Sequence, residues 1–260
     1  QPPNKSPGPD GITNLMLQLG DTHFHTVLLS LLTTVWRLEI YPATWNHSLL
    51  QPIYKGGGKH KLDPASYRGI CLSCSVTKLF EDILVRRLNT YVTERDTLTP
   101  YQFGSKPRTQ THDAIQTLLF TVQNNHSFAS SPTYCAFLDF TTAYPSTHRQ
   151  RLSVILHSAG ITGKMWRILH ESYRQVFIRV PHPDIPATQY TEILRVLPEG
   201  SKLSPLLFGI FLSELLKHLE RTFPGAYTPT SQGRKWMGAI ACVDDLCLIS
   251  TNPQELQHMI

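Results

Sequence analysis

The chain has no apolar run approaching the roughly 20 residues that a membrane-spanning helix needs, although 41% of its 260 residues are hydrophobic. Its first residues, "QPPNKSPGPDG", are polar and rich in proline and glycine, unlike a secretory signal. Its five cysteines, an odd number at irregular spacings, do not form the pattern of a disulfide framework. We therefore expect an intracellular globular protein with no signal peptide, no transmembrane segment and no membrane partner.

Several common functional motifs are also missing. The sequence contains neither a G-x-x-x-x-G-K-[ST] phosphate loop nor a G-x-S-x-G nucleophile elbow. Cys71 and Cys74 form one C-x-x-C pair, but no second pair lies nearby at the spacing of a zinc site. We therefore interpret both thiols as buried core residues.

The charge balance is basic. The chain has 24 Lys and Arg against 19 Asp and Glu, a formal net charge of +5. This excess suits a polyanionic partner such as nucleic acid, but many basic proteins bind nothing charged. Charge alone does not decide the function.

Hydrophobic periodicity predicts a mixed chain. Apolar residues at helical spacing predict helices over 13–40, 78–92, 111–124 and 149–176. Ser204, as a cap, and Pro205, in the first turn, predict the start of a further helix. Short apolar stretches predict strands around a Gly/Lys tip within 49–72, a buried strand over 133–140, a hairpin formed by "QVFIRV" and "TEILRV", and a strand–turn–strand unit over 238–250. Helices and strands do not alternate regularly, which indicates an α+β fold.

Three acidic residues lie at the ends of apolar stretches. Asp139 ends "CAFLD", and Asp244 and Asp245 interrupt "IACVDDLCLIS". Carboxylates that converge repel one another, and they stay ionised when a divalent cation lies among them. Two such cations support phosphoryl and nucleotidyl transfer. An exposed hairpin turn is the alternative interpretation of the acidic pair, because Asp favours turns.

Motifs along almost the whole chain resemble those of reverse transcriptases. "AFLDFTTAY", "LPEGSKLSPLLFGIFL" and "ACVDDLCLIS" follow one another in the family's order and are most similar to the non-long-terminal-repeat (LINE-type) retrotransposon group. The upstream stretches that agree, in order, are "KSPGPDGI", "PIYKGGGK", "YRGICL", "KLFEDILVRRL" and "QFGSKPRTQTHDAI". The resemblance extends from Lys5 to about Met259.

This resemblance implies a right-hand polymerase core, with fingers over residues 1–133 and a palm over residues 134–260. We expect the palm to hold an antiparallel sheet with packed helices, and we expect no thumb within these residues. The implied activity is RNA-directed DNA polymerisation, in which a primer 3′-hydroxyl is extended with dNTPs on an RNA template. The implied partners are the RNA template, a DNA primer or nicked target DNA, and dNTPs, in the nucleus.

The resemblance also assigns the carboxylates. Asp139, Asp244 and Asp245 become catalytic ligands of two Mg²⁺ ions, with Mn²⁺ as an alternative metal. The backbone carbonyl of Phe140 assists Asp139. Tyr144 takes the aromatic position that screens the sugar 2′-hydroxyl and so favours deoxynucleotides, with a core tyrosine as the alternative.

Three further residues are assigned to substrate binding by the resemblance. Arg68, in "YRGI", and Lys55, before the glycine tip, match positions that contact the incoming triphosphate. A solvated loop explains Lys55 equally well. Gly200 lets the backbone approach the nascent base pair closely.

The sequence departs from the family pattern at several positions. Cys242 and Val243 replace the usual aromatic and alanine before the two aspartates, and Val243 adds volume beside the primer end. Glu199 replaces a glutamine, which places a negative charge near the template–nucleotide pair. Gly69 stands where proline is common, and Pro145 stands where an acidic residue is usual.

The chain ends at Ile260, before the family's next palm segment and thumb. We therefore expect a fragment of a longer reading frame, a decayed element or a domesticated remnant. The alternative function is a catalytically inactive remnant that binds nucleic acid. A telomerase-like or maturase-like palm is a third interpretation, against which the LINE-type upstream motifs argue.

Overall fold

A computed structural model describes residues 2–3, 5–106, 109–129, 132–181, 189–193, 197–231 and 233–260. Its helices are α1 (Asn14–Leu19), α2 (Thr22–Leu38), α3 (Ser75–Glu94), α4 (Thr111–Ala129), α5 (Ala143–Ser146), α6 (Arg149–Ser158), α7 (Gly163–Ser172), α8 (Ser204–Thr222) and α9 (Pro253–Met259). Its strands are β1 (His47–Tyr54), β2 (Tyr67–Ser73), β3 (Tyr134–Asp139), β4 (Val176–Arg179), β5 (Thr191–Ile193), β6 (Tyr227–Thr230), β7 (Gly233–Trp236), β8 (Ala239–Cys242) and β9 (Asp245–Ser250). This mixture confirms the α+β prediction.

The chain divides into two compact units. The first unit comprises Gln1–Arg87 and Tyr144–Ser204, and the second comprises Leu88–Ala143 and Pro205–Ile260. This division does not follow the expected fingers–palm boundary at residues 133 and 134, which stays a prediction.

The first unit contains a four-stranded sheet in the order β2-β1-β4-β5. β1 pairs antiparallel with β2 and parallel with β4, and β4 pairs antiparallel with β5. The expected two-stranded unit around a Gly/Lys tip is therefore confirmed. The β4–β5 hairpin is confirmed as well, although residues 182–188 and 194–196 lie outside the described residues.

Aromatic side chains form much of the first unit's core. Phe80 of α3 lies 5.5 Å, between ring centroids, from Trp45, and Tyr41 lies 5.5 Å from the same tryptophan. Cys71 and Cys74 are buried, as expected for core thiols, and burial raises the pKa of each to about 11. Both thiols are therefore mostly protonated at neutral pH.

The first predicted helix, over 13–40, is two helices. α1 ends at Leu19, and Asp21 starts α2 by accepting a hydrogen bond from the Phe24 amide at 2.7 Å. An N-cap of this kind satisfies a helix-start amide, so it favours a new helix start at this point. Of the predicted apolar face, only Leu32 and Val35 are buried.

Two other sequence predictions need correction in the same unit. The helix expected over 149–176 is divided into α6 and α7, with Gly160 between them at a φ of 81°. Ser204 does not act as the expected side-chain cap: its hydroxyl donates to the Pro198 carbonyl at 2.9 Å. Ser204 therefore anchors the preceding loop to the start of α8.

The second unit contains an antiparallel sheet in the order β3-β9-β8. Helix α4 packs on β8, and α9 packs on β9 and β3. The core between α4 and the sheet includes Ala114, Ile240, Cys247 and Ile249. These elements hold the central strand β9 and the edge strand β3, and with them Asp245 and Asp139 at the strand ends.

β3 forms where it is expected but is not buried. It is an edge strand, and the Phe137 side chain is 73% exposed. The apolar composition of "TYCAFLDF" suggested burial because sequence alone does not show whether a strand has one neighbour or two. No helix in the described part of the chain is long and apolar enough to cross a membrane.

Candidate active site

The antiparallel ladder places two predicted metal ligands directly opposite each other. Asp139, the last residue of β3, pairs with Asp245, the first residue of β9. Residues directly opposite in such a pair have their Cβ atoms about 5 Å apart, and two like charges there are destabilising. Both residues are exposed. The fold thus keeps two carboxylates together at a strand end, where a cation would relieve their repulsion.

Asp244 lies in the adjacent turn. Cys242 pairs with Asp245, so the hairpin loop between β8 and β9 has only two residues, Val243 and Asp244. Val243 has a φ of 60°, whereas Asp244 does not have a positive φ. This is the pattern of a type II′ turn, which normally has glycine at its first position. The sequence prediction of a strand–turn–strand unit is confirmed, with Asp245 already inside the second strand.

The conformation of Val243 is costly. A β-branched side chain in the left-handed region is an outlier, and such residues cost on the order of 1–3 kcal/mol each. Thr142, three residues after Asp139, is also β-branched and has a φ of 53°. The backbone is therefore strained at Thr142, after Asp139, and at Val243, before Asp244. The surrounding structure must maintain both conformations.

No described residue neutralises the carboxylates. Across the described ranges, the side chains of Asp139, Asp244 and Asp245 make no ion pair or hydrogen bond. Nor does this part of the chain contain three or more His, Cys, Asp and Glu side chains arranged to hold a metal ion. The paired oxygens of Asp139 and Asp245 still fit a hard divalent cation, because such cations take oxygen ligands.

The carboxylate pair opens onto a cavity. A space of about 320 Å³ lies between α4 and the sheet and is lined by Asp139 and Asp245 together with apolar side chains. Ile115 and Leu118 of α4 and Phe137 of β3 contribute to the apolar lining. A ligand can therefore approach the two carboxylates from the side of α4.

Phe140 follows Asp139 and is anchored on α8. Its ring meets that of Phe208 edge to face, with the centroids 6.4 Å apart. Aromatic pairs in this arrangement add modest stability beyond their buried area. The contact fixes the chain just beyond Asp139, and the proposed role of the Phe140 carbonyl stays a prediction.

Sequence reasoning missed Gln102, which holds the Asp244 turn. The residue is fully buried, and its side-chain oxygen accepts from the amides of Val243 at 3.1 Å and Gly104 at 2.9 Å. It belongs to "QFGSKPRTQTHDAI", a stretch that resembles a reverse transcriptase motif and to which the sequence assigns no catalytic or binding role. The stretch is largely polar, so nothing in its composition singles out Gln102 as a buried residue.

The expected triphosphate-binding residues lie in the first unit. Arg68 is exposed on β2, opposite Ile53 of β1. Lys55 is exposed at the end of β1, and its ammonium donates to the Ala65 carbonyl at 3.0 Å. The structure thus places both cations on the same hairpin, near its glycine tip.

Gly200 lies in a loop that is fastened to β2. The Cys71 amide donates to the Glu199 carbonyl at 2.6 Å, three residues along β2 from Arg68. Gly200 has a φ of 111°, and a Cβ atom there would lie 2.6 Å from the Cys71 carbonyl oxygen. This close approach excludes any other residue and brings the Gly200 loop to the strand that carries Arg68.

A second missed residue, Glu81 of α3, holds the same loop. Its buried carboxylate accepts hydrogen bonds from the Ser201 hydroxyl at 2.9 Å and the Lys202 amide at 3.0 Å. Burial raises the pKa of this carboxyl, and the two hydrogen bonds oppose that rise. Lys202 also pairs with Asp82. The Gly200 loop is therefore fixed from both β2 and α3.

Tyr144 begins the second segment of the first unit. It is half-buried, and its backbone carbonyl accepts from the Leu197 amide at 3.3 Å. The contact ties it to the segment that precedes Gly200. Its proposed action on the sugar 2′-hydroxyl stays a prediction.

The chain belongs to the reverse transcriptase family. Residues 55–260 match the family described as "Reverse transcriptase (RNA-dependent DNA polymerase)". The match includes every candidate residue identified from the sequence.

The curated relatives come from retrotransposons. The chain is 28% identical over 254 residues to the "Probable RNA-directed DNA polymerase from transposon BS" of Drosophila melanogaster, covering 95% of this chain and 26% of the relative. It is 23% identical over 223 residues to the "RNA-directed DNA polymerase from mobile element jockey" of the same organism, covering 84% of this chain and 23% of the relative. These matches confirm the resemblance to the non-long-terminal-repeat group. The chain spans about a quarter of the length of these relatives.

Solved structures confirm the fold. The apo telomerase of Candida tropicalis superposes with a TM-score of 0.56 at 12% identity, over 90% of this chain and 45% of that protein. The Candida albicans telomerase in complex with a telomeric RNA fragment gives the same TM-score at 10% identity, over 91% of this chain and 42% of that protein. At such identities the likeness shows a shared polymerase fold alone.

Proposed function

We propose that this chain is the RNA-directed DNA polymerase core of a LINE-type retrotransposon and transfers nucleotides to a primer 3′-hydroxyl. The observation that supports the proposal most strongly is the direct opposition of Asp139 and Asp245 beside the Asp244 turn. No described side chain neutralises these carboxylates, so a bound cation is the partner that their geometry lacks.

The carboxylates of Asp139, Asp244 and Asp245 would hold two Mg²⁺ ions, or Mn²⁺ in their place. Bound there, the ions supply activation of the attacking hydroxyl and neutralisation of the leaving pyrophosphate. The residues themselves supply oxygen ligands at a strand end that opens onto a cavity. Asp244 would complete the set from the adjacent turn.

The first unit would bind the incoming dNTP. It carries 17 Lys and Arg against 10 Asp and Glu, whereas the second unit carries 7 against 9. Arg68 and Lys55 would neutralise triphosphate charge that the metals leave uncovered. Gly200 would contact the nascent base pair, and Tyr144 would exclude the ribose 2′-hydroxyl.

The proposed partners are an RNA template and a DNA primer or nicked target DNA, and the proposed location is the nucleus, where target DNA lies. The excess of positive charge in the first unit supports contact with a phosphate backbone. The departures at Glu199, Cys242 and Val243 leave every proposed metal ligand in place.

The test is primer extension on an RNA template with purified chain, Mg²⁺ or Mn²⁺ and dNTPs. We expect incorporation by the wild type and a loss of at least about a thousandfold for Asp244→Asn, because one metal ligand loses its charge. Glu214→Gln removes a carboxylate from an exposed position on α8 and is the matched control, with activity retained.

Three outcomes decide between the candidate functions. Incorporation that Asp244→Asn abolishes supports the proposal. Incorporation that survives Asp244→Asn shows that the Asp244 assignment is wrong. Salt-dependent binding of template–primer without incorporation under either metal contradicts the polymerase proposal in favour of a nucleic-acid-binding remnant.

A further inference from the structure

The stretch "QFGSKPRTQTHDAI" has no role in the proposed chemistry, yet its first residue contacts the catalytic hairpin. Gln102 is 0% exposed although it carries a polar amide. Buried polar groups need hydrogen-bond partners, so the partners of this amide indicate what it holds in place. All of those partners lie within the second unit.

The side-chain amide of Gln102 contacts both backbone polar groups of Val243, its N–H and its carbonyl. Its oxygen accepts from the Val243 amide at 3.1 Å, and its nitrogen approaches the Val243 carbonyl at 3.4 Å. The same oxygen accepts from the Gly104 amide at 2.9 Å. Two N–H donors converge on this oxygen, which fixes the orientation of the amide group. Gln102 thus holds Val243, the strained residue before Asp244, by hydrogen bonds to the Val243 backbone.

The backbone around Gln102 is itself fastened to β8. The Ala241 amide donates to the Tyr101 carbonyl at 2.8 Å, and the Phe103 amide donates to the Ala241 carbonyl at 2.8 Å. Residues 101–103 therefore lie beside β8 as a short parallel bridge around Gln102 and Ala241. The bridge fixes the backbone of Gln102 beside Ala241, two residues before Val243.

Gly104 lets this segment approach the turn closely. A Cβ atom there would lie 2.3 Å from Val243 Cγ2 and 2.4 Å from the Val243 backbone nitrogen. The turn is thus enclosed by Gly104 and held by Gln102. In free solution a valine at a φ of 60° would leave this conformation, because the β and right-handed regions are sterically favoured.

We infer that Gln102 is a positioning residue that keeps the Val243–Asp244 turn in its strained conformation and thereby aims the Asp244 carboxylate at the metal site. The expected effect on metal binding rests on the proposed function. The role of Gln102 in holding the turn does not. Gln102 touches neither metal nor substrate. Its effect passes through the Val243 backbone.

The first measurement uses the unmodified chain. Amide hydrogen exchange of Val243 and Gly104 should be slow and similar, since both amides donate to the buried Gln102 oxygen. The exposed amides of the β1–β2 glycine tip, Gly56–Gly58, provide the fast reference within the same sample. Exchange of the Val243 amide as fast as that reference would overturn the inference without any mutation.

The second measurement separates positioning from general stability. Gln102→Met keeps the side-chain length and removes the hydrogen bonds, and we expect Mn²⁺ affinity, measured by electron paramagnetic resonance, to fall about tenfold or more. Val243→Gly in the same chain should restore most of that affinity, because glycine adopts a positive φ at little cost. A merely structural role predicts no such rescue.

Tyr101→Phe is the matched control for Gln102→Met. It removes the hydrogen bond to Glu220 from the adjacent residue and leaves the turn contacts unchanged. We expect Mn²⁺ affinity to stay at the wild-type value. An equal loss in Tyr101→Phe and Gln102→Met, or no rescue by Val243→Gly, would overturn the inference.

The inference and the proposed function fail in different ways. A wild-type chain that binds no Mn²⁺ contradicts the proposed function, while protection of the Val243 amide still reports on the turn. A wild-type chain that binds Mn²⁺ equally well after Gln102→Met retains the proposed function and overturns the positioning role. If Gln102→Met does not fold, the exchange experiment on the unmodified chain decides.

Discussion

Two hairpins carry half of the candidate residues, and they reach a positive φ in opposite ways. The β1–β2 hairpin, with Lys55 and Arg68, has a tip of three glycines, Gly56–Gly58, all at a φ of 69–76°. A Cβ atom added at any of these glycines would meet nothing within 4 Å. The β8–β9 hairpin, with Asp244, reaches a φ of 60° at a valine that buried neighbours enclose.

The difference indicates what each hairpin is suited to do. Glycine adopts a positive φ freely, so the first tip has no built-in preference for one arrangement, although the Tyr54 and Tyr67 hydroxyls donate to the Lys59 and Lys61 carbonyls beside it. The Val243 turn costs conformational energy and persists only because surrounding contacts over-determine it. The glycine tip therefore has room to change its arrangement, whereas the Val243 turn is held in one backbone geometry.

Among variants that test the difference between the two hairpins, Gly104→Ala is expected to lower stability the most. The new Cβ would press on the Val243 backbone, which cannot move without displacing the turn, and overpacking of this kind costs about 3 kcal/mol. At about 2–4 °C per kcal/mol the melting temperature should fall by roughly 6–12 °C. Thermal unfolding followed by circular dichroism measures the change.

Gly57→Ala is the control at the other hairpin. Its positive φ costs an L-residue about 1 kcal/mol, but no atom lies close enough to clash. Its melting temperature should therefore fall by much less than that of Gly104→Ala. Equal shifts for the two variants would show that the enclosure of Val243 does not matter.

A smaller effect is expected at Glu81, which fixes the Gly200 loop as Gln102 fixes the turn. Burial raises the folded-state pKa of this carboxyl above its usual value near 4.5. Its contribution to stability is therefore fully present below about pH 4.5 and is lost as the pH rises through the folded-state pKa. Each unit of that rise corresponds to about 1.4 kcal/mol.

Glu81→Gln should remove this pH dependence. The free energy of unfolding of the wild type, relative to that of Glu81→Gln, should decrease between pH 4.5 and pH 7 in urea titrations. Glu171→Gln on the surface of α7 is the matched carboxylate-to-amide control. A constant difference between wild type and Glu81→Gln across this range would contradict a raised pKa.

Sequence periodicity and motif order predicted much of the fold. Helix α3 forms where it was expected, with Phe80, Leu84, Leu88 and Val92 buried on one face. The break between α1 and α2 was missed because the Asp21 cap outweighs a periodicity that continues through it. The exposure of β3 was missed because strand order depends on long-range pairing.

The sequence predicts the proposed metal ligands of the candidate site, but not the buried residues that hold its loops in place. Asp139, Asp244 and Asp245 stand out as charges in apolar surroundings, and the ladder register brings Asp139 and Asp245 together. Gln102 and Glu81 act on residues about 140 and 120 positions away in the sequence. No local pattern indicates such contacts, so only the folded chain shows them.

The central claim, that the three aspartates hold divalent metal, is tested most directly by Fe²⁺ bound in place of Mg²⁺. With ascorbate and peroxide, bound Fe²⁺ should generate hydroxyl radicals that cut the chain near residue 139 and near residues 244–245, and Asp139→Asn should lose both cuts. A parallel sample with excess Mg²⁺ provides the reference, in which both cuts should be suppressed. Absence of these two cuts in the wild type, or cuts that Asp139→Asn leaves unchanged, would contradict the account.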